Sequence, residues 1–232
     1  IFQNATFIRS IVNTFVIMLS SVFVQIPLAL FLSVLLNTEF PGFRLFRTLY
    51  FVPVVISTVV IGIMWSLFLH PYIGLLNTVL RAVGLGSLIQ NWLGDPAAAL
   101  VTVNVVNVWA WFGYLTVIIM AGLKGIPRSI VEAAMIDGVN AWQKFVYITW
   151  PMLKWTIQVC VLLAVTGSLK IFDLIFVMTG GGPGDATEVM ATYMWRISFI
   201  STKFGAGSAV AAVILGISLV LTVLQRMAVS ED

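Results

Sequence analysis

Apolar residues run along this chain in long, nearly unbroken stretches rather than in alternation or one-sided helical stripes. A spanning helix needs about 20 apolar residues. The stretches that reach this length are Ser10 to Thr38, Thr48 to Leu69, Pro96 to Leu123, Trp155 to Met178 and Phe204 to Gln225. The first two carry no charge, and the fourth contains Lys170 and Asp173. Each is apolar nearly all round, as helices surrounded by lipid and protein are. The dyad alternation of barrel strands does not appear. The pattern predicts an all-α integral membrane protein with about five spanning helices. Between the second and third stretches, Leu75, Leu76, Val79, Leu80 and Val83 form an apolar pattern broken by Gly84 and Gly86. This predicts a short helix along the membrane surface.

Composition agrees: 60% of the residues are hydrophobic, 9% are charged, and mean hydropathy is +1.07. A soluble domain carries roughly 25% charged residues, and a core this small cannot hide the apolar excess. A net charge of +3 with a pI near 9.2 would point a soluble protein towards nucleic acid. Here the basic residues read as membrane-flanking charge, and no nucleic-acid partner is expected. With five spans, Arg44, Arg47, Lys124, Arg128, Lys144, Lys154 and Arg226 share one side, against Arg9, Arg81, Arg196 and Lys203 on the other. The first set makes that side cytoplasmic, with the loop 124–154 and Asp232 inside and the loops 70–95 and 179–203 outside. One cysteine, Cys160, and one histidine, His70, leave no metal cluster and no intrachain disulfide. The chain opens on Ile1 and shows no signal-peptide pattern, so further sequence is expected upstream.

The loop between the third and fourth stretches is punctuated like two short helices. Pro127 suits an early helical position and Gly138 the left-handed stop after a helix. Asn140 and Gln143 can form a capping box, and Pro151 is expected to end or kink the second helix. The first helix has a smooth face at Ala133 and Ala134, flanked by Glu132 and Asp137. The second carries a stripe of Trp142, Phe145, Val146 and Ile148. By spacing alone, a helix docking in a groove of another protein and an amphipathic loop resting on the bilayer stand level.

Glu132-Ala133-Ala134, then Gly138, then Ile148 and Pro151, resembles the EAA loop of permease subunits of binding-protein-dependent ABC importers, with Trp150 where Leu usually precedes the Pro. Ile126-Pro127, Asp137-Gly138, Thr179-Gly180-Gly181-Gly182-Pro183, Lys170-Ile171-Phe172-Asp173, and Phe43-Arg44 with Arg47 and Pro53 are similar to the sugar-importing branch. The resemblance runs from about Asn13 to the C-terminus. It implies a type I importer transmembrane domain over 1–232, with a sixth helix upstream. It implies that Glu132, Ala133, Ala134, Asp137 and Gly138 couple to the ATPase. It also implies a second homologous permease, a dimer of cytoplasmic ATPase subunits that bind ATP and Mg, and an external solute-binding protein. This chain itself would bind no cofactor and catalyse nothing, and it would reside in a bacterial cytoplasmic membrane. A phosphate-binding G-x-x-x-x-G-K-[ST] loop is absent from the sequence.

In the third stretch, Asn104, Asn107, Trp111 and Tyr114 fall within roughly 80° of arc. Amide donors and acceptors beside flat aromatic faces suit a sugar's hydroxyl edges and C–H faces. Helix–helix hydrogen bonding with interfacial aromatics is the plainer alternative. In the resembling permeases the positions of Asn107, Ala110, Trp111, Tyr114 and Ser168 line the solute pocket, while Ala164 stands where a polar pocket residue can occur. Lys170 and Asp173, spaced i, i+3, are expected to neutralise each other as a structural ion pair. A channel or secondary transporter would need more intramembrane charge or a repeat. A membrane enzyme would need a catalytic cluster. Within the importers, a polyol or glycerol phosphate is the alternative solute.

Overall fold

The computed structural model describes residues 1–36 and 43–230, except for the side chains of Phe43, Arg44, Phe46, Arg47, Arg128, Ala228, Val229 and Ser230. Expectations resting on Thr38, on Asp232 and on the side chains of Arg44, Arg47 and Arg128 fall outside the described residues. Those residues form helices and turns, with no strand among them.

Helix α1 spans Ala5–Leu35, opened at Ser21–Gln25 into a π turn. Helices α2, Phe43–Val55, and α3, Thr58–Phe68, follow. Next come the short α4, Leu75–Ala82, and the long α5, Pro96–Lys124. Helix α6 is Arg128–Ile136, and α7 runs Ala141–Leu169 with its own π turn at Phe145–Thr149. The short α8, Asp173–Met178, precedes α9, Met190–Trp195, and α10 is Phe204–Ser230. Four of these are long and apolar enough to cross a membrane, or up to five if the bent pair α2–α3 counts as one span.

Two expectations need correcting. The stretch 48–69 is not one straight helix: α2 and α3 meet at 109°, because the chain turns extended at Ser57, with φ −55° and ψ 134°. The fourth span begins at Ala141 and ends at Leu169, whereas the sequence reading placed it from Trp155 to Met178. Pro151 does not end a helix; it sits in the first turn after the π turn, within a continuous α7. A proline lacks the N–H that closes an i→i−4 bond and crowds that turn. The wider π turn takes up the misfit, with Trp150 N–H reaching back to the Phe145 carbonyl. Pro27 stands two residues after the π turn of α1 in the same way.

Two of the buried clusters pack along the long helices. Ile17, Ile61, Val103, Val106, Leu174 and Ile175 form one, and Ile26, Ala29, Leu115, Ile119, Leu153 and Cys160 the other. At one end of the bundle the Ser33 hydroxyl lies 3.0 Å from the Thr116 carbonyl. At the opposite end of α1, Thr6 and Arg9 hold the loop that follows α8. Since α1 is 31 residues long, these ends lie about 45 Å apart along the helix.

Candidate functional site

A cavity of about 430 Å³ opens between α1, α5 and the end of α7. On α1 its lining residues Ser21 and Gln25 fall between Ile17 of the first cluster and Ile26 of the second. Helix α5 supplies Asn107, Trp111 and Tyr114; α7 and the residue capping it supply Ser168 and Lys170; the start of α8 supplies Asp173; α1 supplies Ser21 and Gln25; α3 opens onto the cavity at Thr58. The helical spacing of 107, 111 and 114 places them on one face. The Trp111 and Tyr114 rings meet edge-on, centroids 6.4 Å apart, and are 39% and 37% exposed. They thus offer apolar faces with polar tips to the cavity. The Ser168 hydroxyl lies 2.8 Å from the Ala164 carbonyl and 3.1 Å from the Ser21 hydroxyl. Ala164 lines the wall as an apolar residue.

Asn104 and Ala110 are not part of this wall. Asn104 stands at the edge of the predicted arc, one turn nearer Pro96, and its Oδ1 is buried without a partner. Ala110 packs into the cluster around Val103 and Val106.

Lys170 and Asp173 form no ion pair, contrary to the expectation from their spacing. Helix α7 ends at Leu169 and α8 begins at Asp173, so the two are not on one helix. Lys170 caps the C-terminal end of α7, where a cation is favoured, and Asp173 opens α8, where an anion is favoured. Each charge is matched to a helix end instead of to the other, and both side chains reach the cavity.

Away from the cavity, α6 is set by its ends. Pro127 lies one residue before the helix rather than inside it. Gly138 follows at φ +74°, a left-handed stop that L side chains adopt only at a cost. The next turn carries the expected capping box, with the Asn140 side chain accepting from Gln143 N–H at 2.9 Å and the Gln143 side chain accepting from Asn140 N–H at 3.0 Å. Ala134 is buried, whereas Glu132, Ala133, Asp137 and Gly138 are exposed. Met135 and Ile136 are exposed as well, Ile136 by 86%. Trp142 is exposed too, so the stripe it was expected to lead is anchored within this chain only through the half-buried Phe145, Val146 and Ile148.

A polar cluster that sequence spacing did not reveal lies at the other end of the bundle. Arg196 contacts Asp185 at 2.9 Å and the buried Glu188 at 3.0 Å. Thr6 donates to Asp185 at 2.8 Å, Arg9 donates to the Gly184 carbonyl at 2.9 Å, and Asn13 donates to the carbonyls of Ala186 and Glu188. Gly181, at φ +90°, leaves the room that Glu188 occupies, since a Cβ there would meet its carboxylate. Burial pushes the Asp185 carboxyl up, but hydrogen bonds from Thr6 and Arg196 and the charges of Arg196 and Arg9 outweigh it and hold it below its ordinary value. Burial pushes the Glu188 carboxyl up, and Arg196 and Thr192 only partly oppose this. The signal available in the sequence was the glycine run ahead of two acids and an arginine.

Comparison with known proteins gives a consistent result. A family described as "Binding-protein-dependent transport system inner membrane component" matches residues 5–230. The chain is 34% identical to the probable ABC transporter permease protein YurN of Bacillus subtilis (strain 168), over 97% of this chain and 78% of that protein. It is likewise 34% identical to the lactose transport system permease protein LacF of Rhizobium radiobacter, over 100% of this chain and 78% of that one. Among solved structures, a chain of the bacterial alginate ABC transporter in complex with alginate pentasaccharide-bound periplasmic protein matches with a TM-score of 0.87, covering 97% of this chain and 78% of that one. At 24% identity, that likeness speaks for the fold.

Proposed function

The chain belongs to the family of inner-membrane components of binding-protein-dependent transport systems, and from that premise we propose that it forms half of the path along which an ATP-driven importer carries a sugar. It is a multi-pass permease subunit of the cell membrane, not a catalytic one. The observation that carries the sugar reading is the cavity wall: Asn107, Trp111 and Tyr114 on one helix face, with one lysine and one aspartate, Lys170 and Asp173, leaving no net charge on the lining. Amide groups beside aromatic faces match a hydroxyl-rich solute. A phosphorylated solute would call for several cations, and the wall supplies one lysine. The lactose transport of the relative named above points the same way.

The cytoplasmic face in this reading is the α6 end. There Glu132, Ala133 and the exposed Met135 and Ile136 would enter a cleft of an ATPase subunit, each permease of a pair engaging one ATPase of a dimer. The end that bears the loop 179–189 would face the external binding protein. The test is ATP-driven uptake by the complete importer, reconstituted with its binding protein, of labelled neutral mono-, di- and oligosaccharides against polyols and glycerol phosphate. A saccharide should enter, and Asn107→Ala should slow it about fivefold through one lost hydrogen bond while the complex still assembles. Uptake of glycerol phosphate with every saccharide excluded overturns the sugar reading.

A further inference from the structure

The cavity wall contains a residue that neither helical spacing nor family resemblance assigns to a solute. Gln25 ends the π turn of α1. Its residue is 4% exposed and it lines the cavity. Among the described residues its side chain has no hydrogen-bond partner, and the same holds for Asn107 on α5, which is 6% exposed. A carboxamide without a protein partner finds one in water or in a ligand, and the polar atoms of these two stay accessible from the cavity. Here two of them, from different helices, border the same space. The backbone around Gln25 is also irregular: the Ile26 N–H reaches five residues back to Ser21, ahead of Pro27. Such single π turns inside spanning helices recur at functional positions. This one carries Ser21 and Gln25, and both line the cavity.

A primary carboxamide accepts at its oxygen and donates from its nitrogen. It therefore suits two adjacent hydroxyls of one ring, accepting from one and donating to the other. We propose that Gln25 is a specificity-determining residue of the permease, reading a vicinal hydroxyl pair of the solute from the α1 side while Asn107 and the Trp111 ring hold it from the α5 side. The π turn fixes where that carboxamide stands. This inference rests on the sugar reading above.

The test uses the complete importer in proteoliposomes. A saccharide transported by the wild type is compared with its monodeoxy analogues, each lacking one hydroxyl. The wild type should favour the parent over at least one analogue by about threefold to tenfold, the worth of a hydrogen bond. In Gln25→Leu that preference should fall towards one, with a higher half-saturation concentration for the parent, and Gln25→Asn should fall between. The parent-to-analogue ratio does not depend on how much complex has folded, and discrimination by the binding protein is common to wild type and variant. An unchanged ratio in Gln25→Leu overturns the role of Gln25 and leaves the sugar reading intact, as does a wild type indifferent to every deoxygenation. A wild type that imports no saccharide at all overturns the sugar reading, and this inference with it.

Discussion

At one end of the bundle, Arg196 holds Asp185 at 2.9 Å and Glu188 at 3.0 Å, while Thr6, Arg9 and Asn13 tie the same loop to α1. At the other end, α6 projects an 86% exposed Ile136, and the carboxylates of Glu132 and Asp137 pair with nothing among the described residues. Both segments connect spanning helices and both carry acids and glycines. The first spends its polar groups on its own subunit, so its geometry is complete without a partner. The second leaves acids and apolar side chains bare on a helix that Gly138 stops, just ahead of the Asn140–Gln143 box that caps the start of α7. Under the proposed function the difference is that between a structural clamp and a docking surface, and mutations at the two ends should separate in the same way.

The largest effect is expected at the clamp. Arg196→Ala strands Glu188, which is 1% exposed. Removing one partner of a buried pair costs about 3–5 kcal/mol, reduced here to about 2–4 because the Arg196 side chain is 35% exposed. The thermal midpoint of the purified permease should fall, and adding Glu188→Gln should restore part of it. A midpoint that does not move would mean the cluster holds nothing together.

At α6 the expectation is the reverse, with the fold kept and coupling lost. A Cβ added at Gly138 meets no neighbour within 4 Å, so the main expected cost of Gly138→Val is the left-handed backbone, about 1–2 kcal/mol. In the proposed complex, Glu132→Lys would remove a charged contact worth about 1.5–3 kcal/mol. Both variants should insert, with melting curves closer to wild type than that of Arg196→Ala. Both should lose solute-stimulated ATP hydrolysis and transport, and Gly138→Val should also retain less ATPase subunit on purification. Wild-type stimulation in both would reduce α6 to a passive loop and erase the contrast.

The sequence was most informative where one physical demand dominates. The runs 96–123 and 204–225 became helices within a few residues of their expected ends because lipid requires apolar length and internal backbone bonds. Gly138, Asn140 and Gln143 were legible because caps are local chemistry. The start of the fourth span was misplaced, 155 against 141, because Pro151 reads as a stop and nothing in the residue pattern announces the π turn that absorbs it. Lys170 and Asp173 were paired from spacing that presumes one helix, and the break between them undid the premise. The clamp was invisible for a different reason: Thr6 and Asp185 are 179 positions apart, and no local rule joins them. In the sequence Gln25 is one polar residue in an apolar run, and only the assembled wall shows what it faces.

The smallest effect, and the finest probe of the contrast, is the pH dependence of the clamp. The two acids have opposite signs. Asp185 is held below its ordinary value of 3.8 by Thr6, Arg196 and Arg9 against the opposing push of burial. The folded state therefore prefers its charged form, and the stability this gives is present above 3.8 and lost as pH falls through the lowered folded value. Glu188 is raised above its ordinary value of 4.5 by burial, and Asp185 adds to that push while Arg196 and Thr192 oppose it. The folded state prefers its neutral form, so its contribution is full below 4.5 and is lost as pH rises through the raised folded value. Acidifying from neutrality should first raise the melting midpoint slightly, as Glu188 takes its proton, and then lower it below 3.8, as Asp185 does. Glu188→Gln should remove the rise and keep the fall; Asp185→Asn should weaken the fall and keep the rise. Glu132 is exposed and unpaired among the described residues, so Glu132→Gln should leave both limbs where they are. A Glu132→Gln variant that altered the acid profile of the permease alone would show that α6 is bound up with the subunit's own stability, and the division between clamp and docking surface would fail.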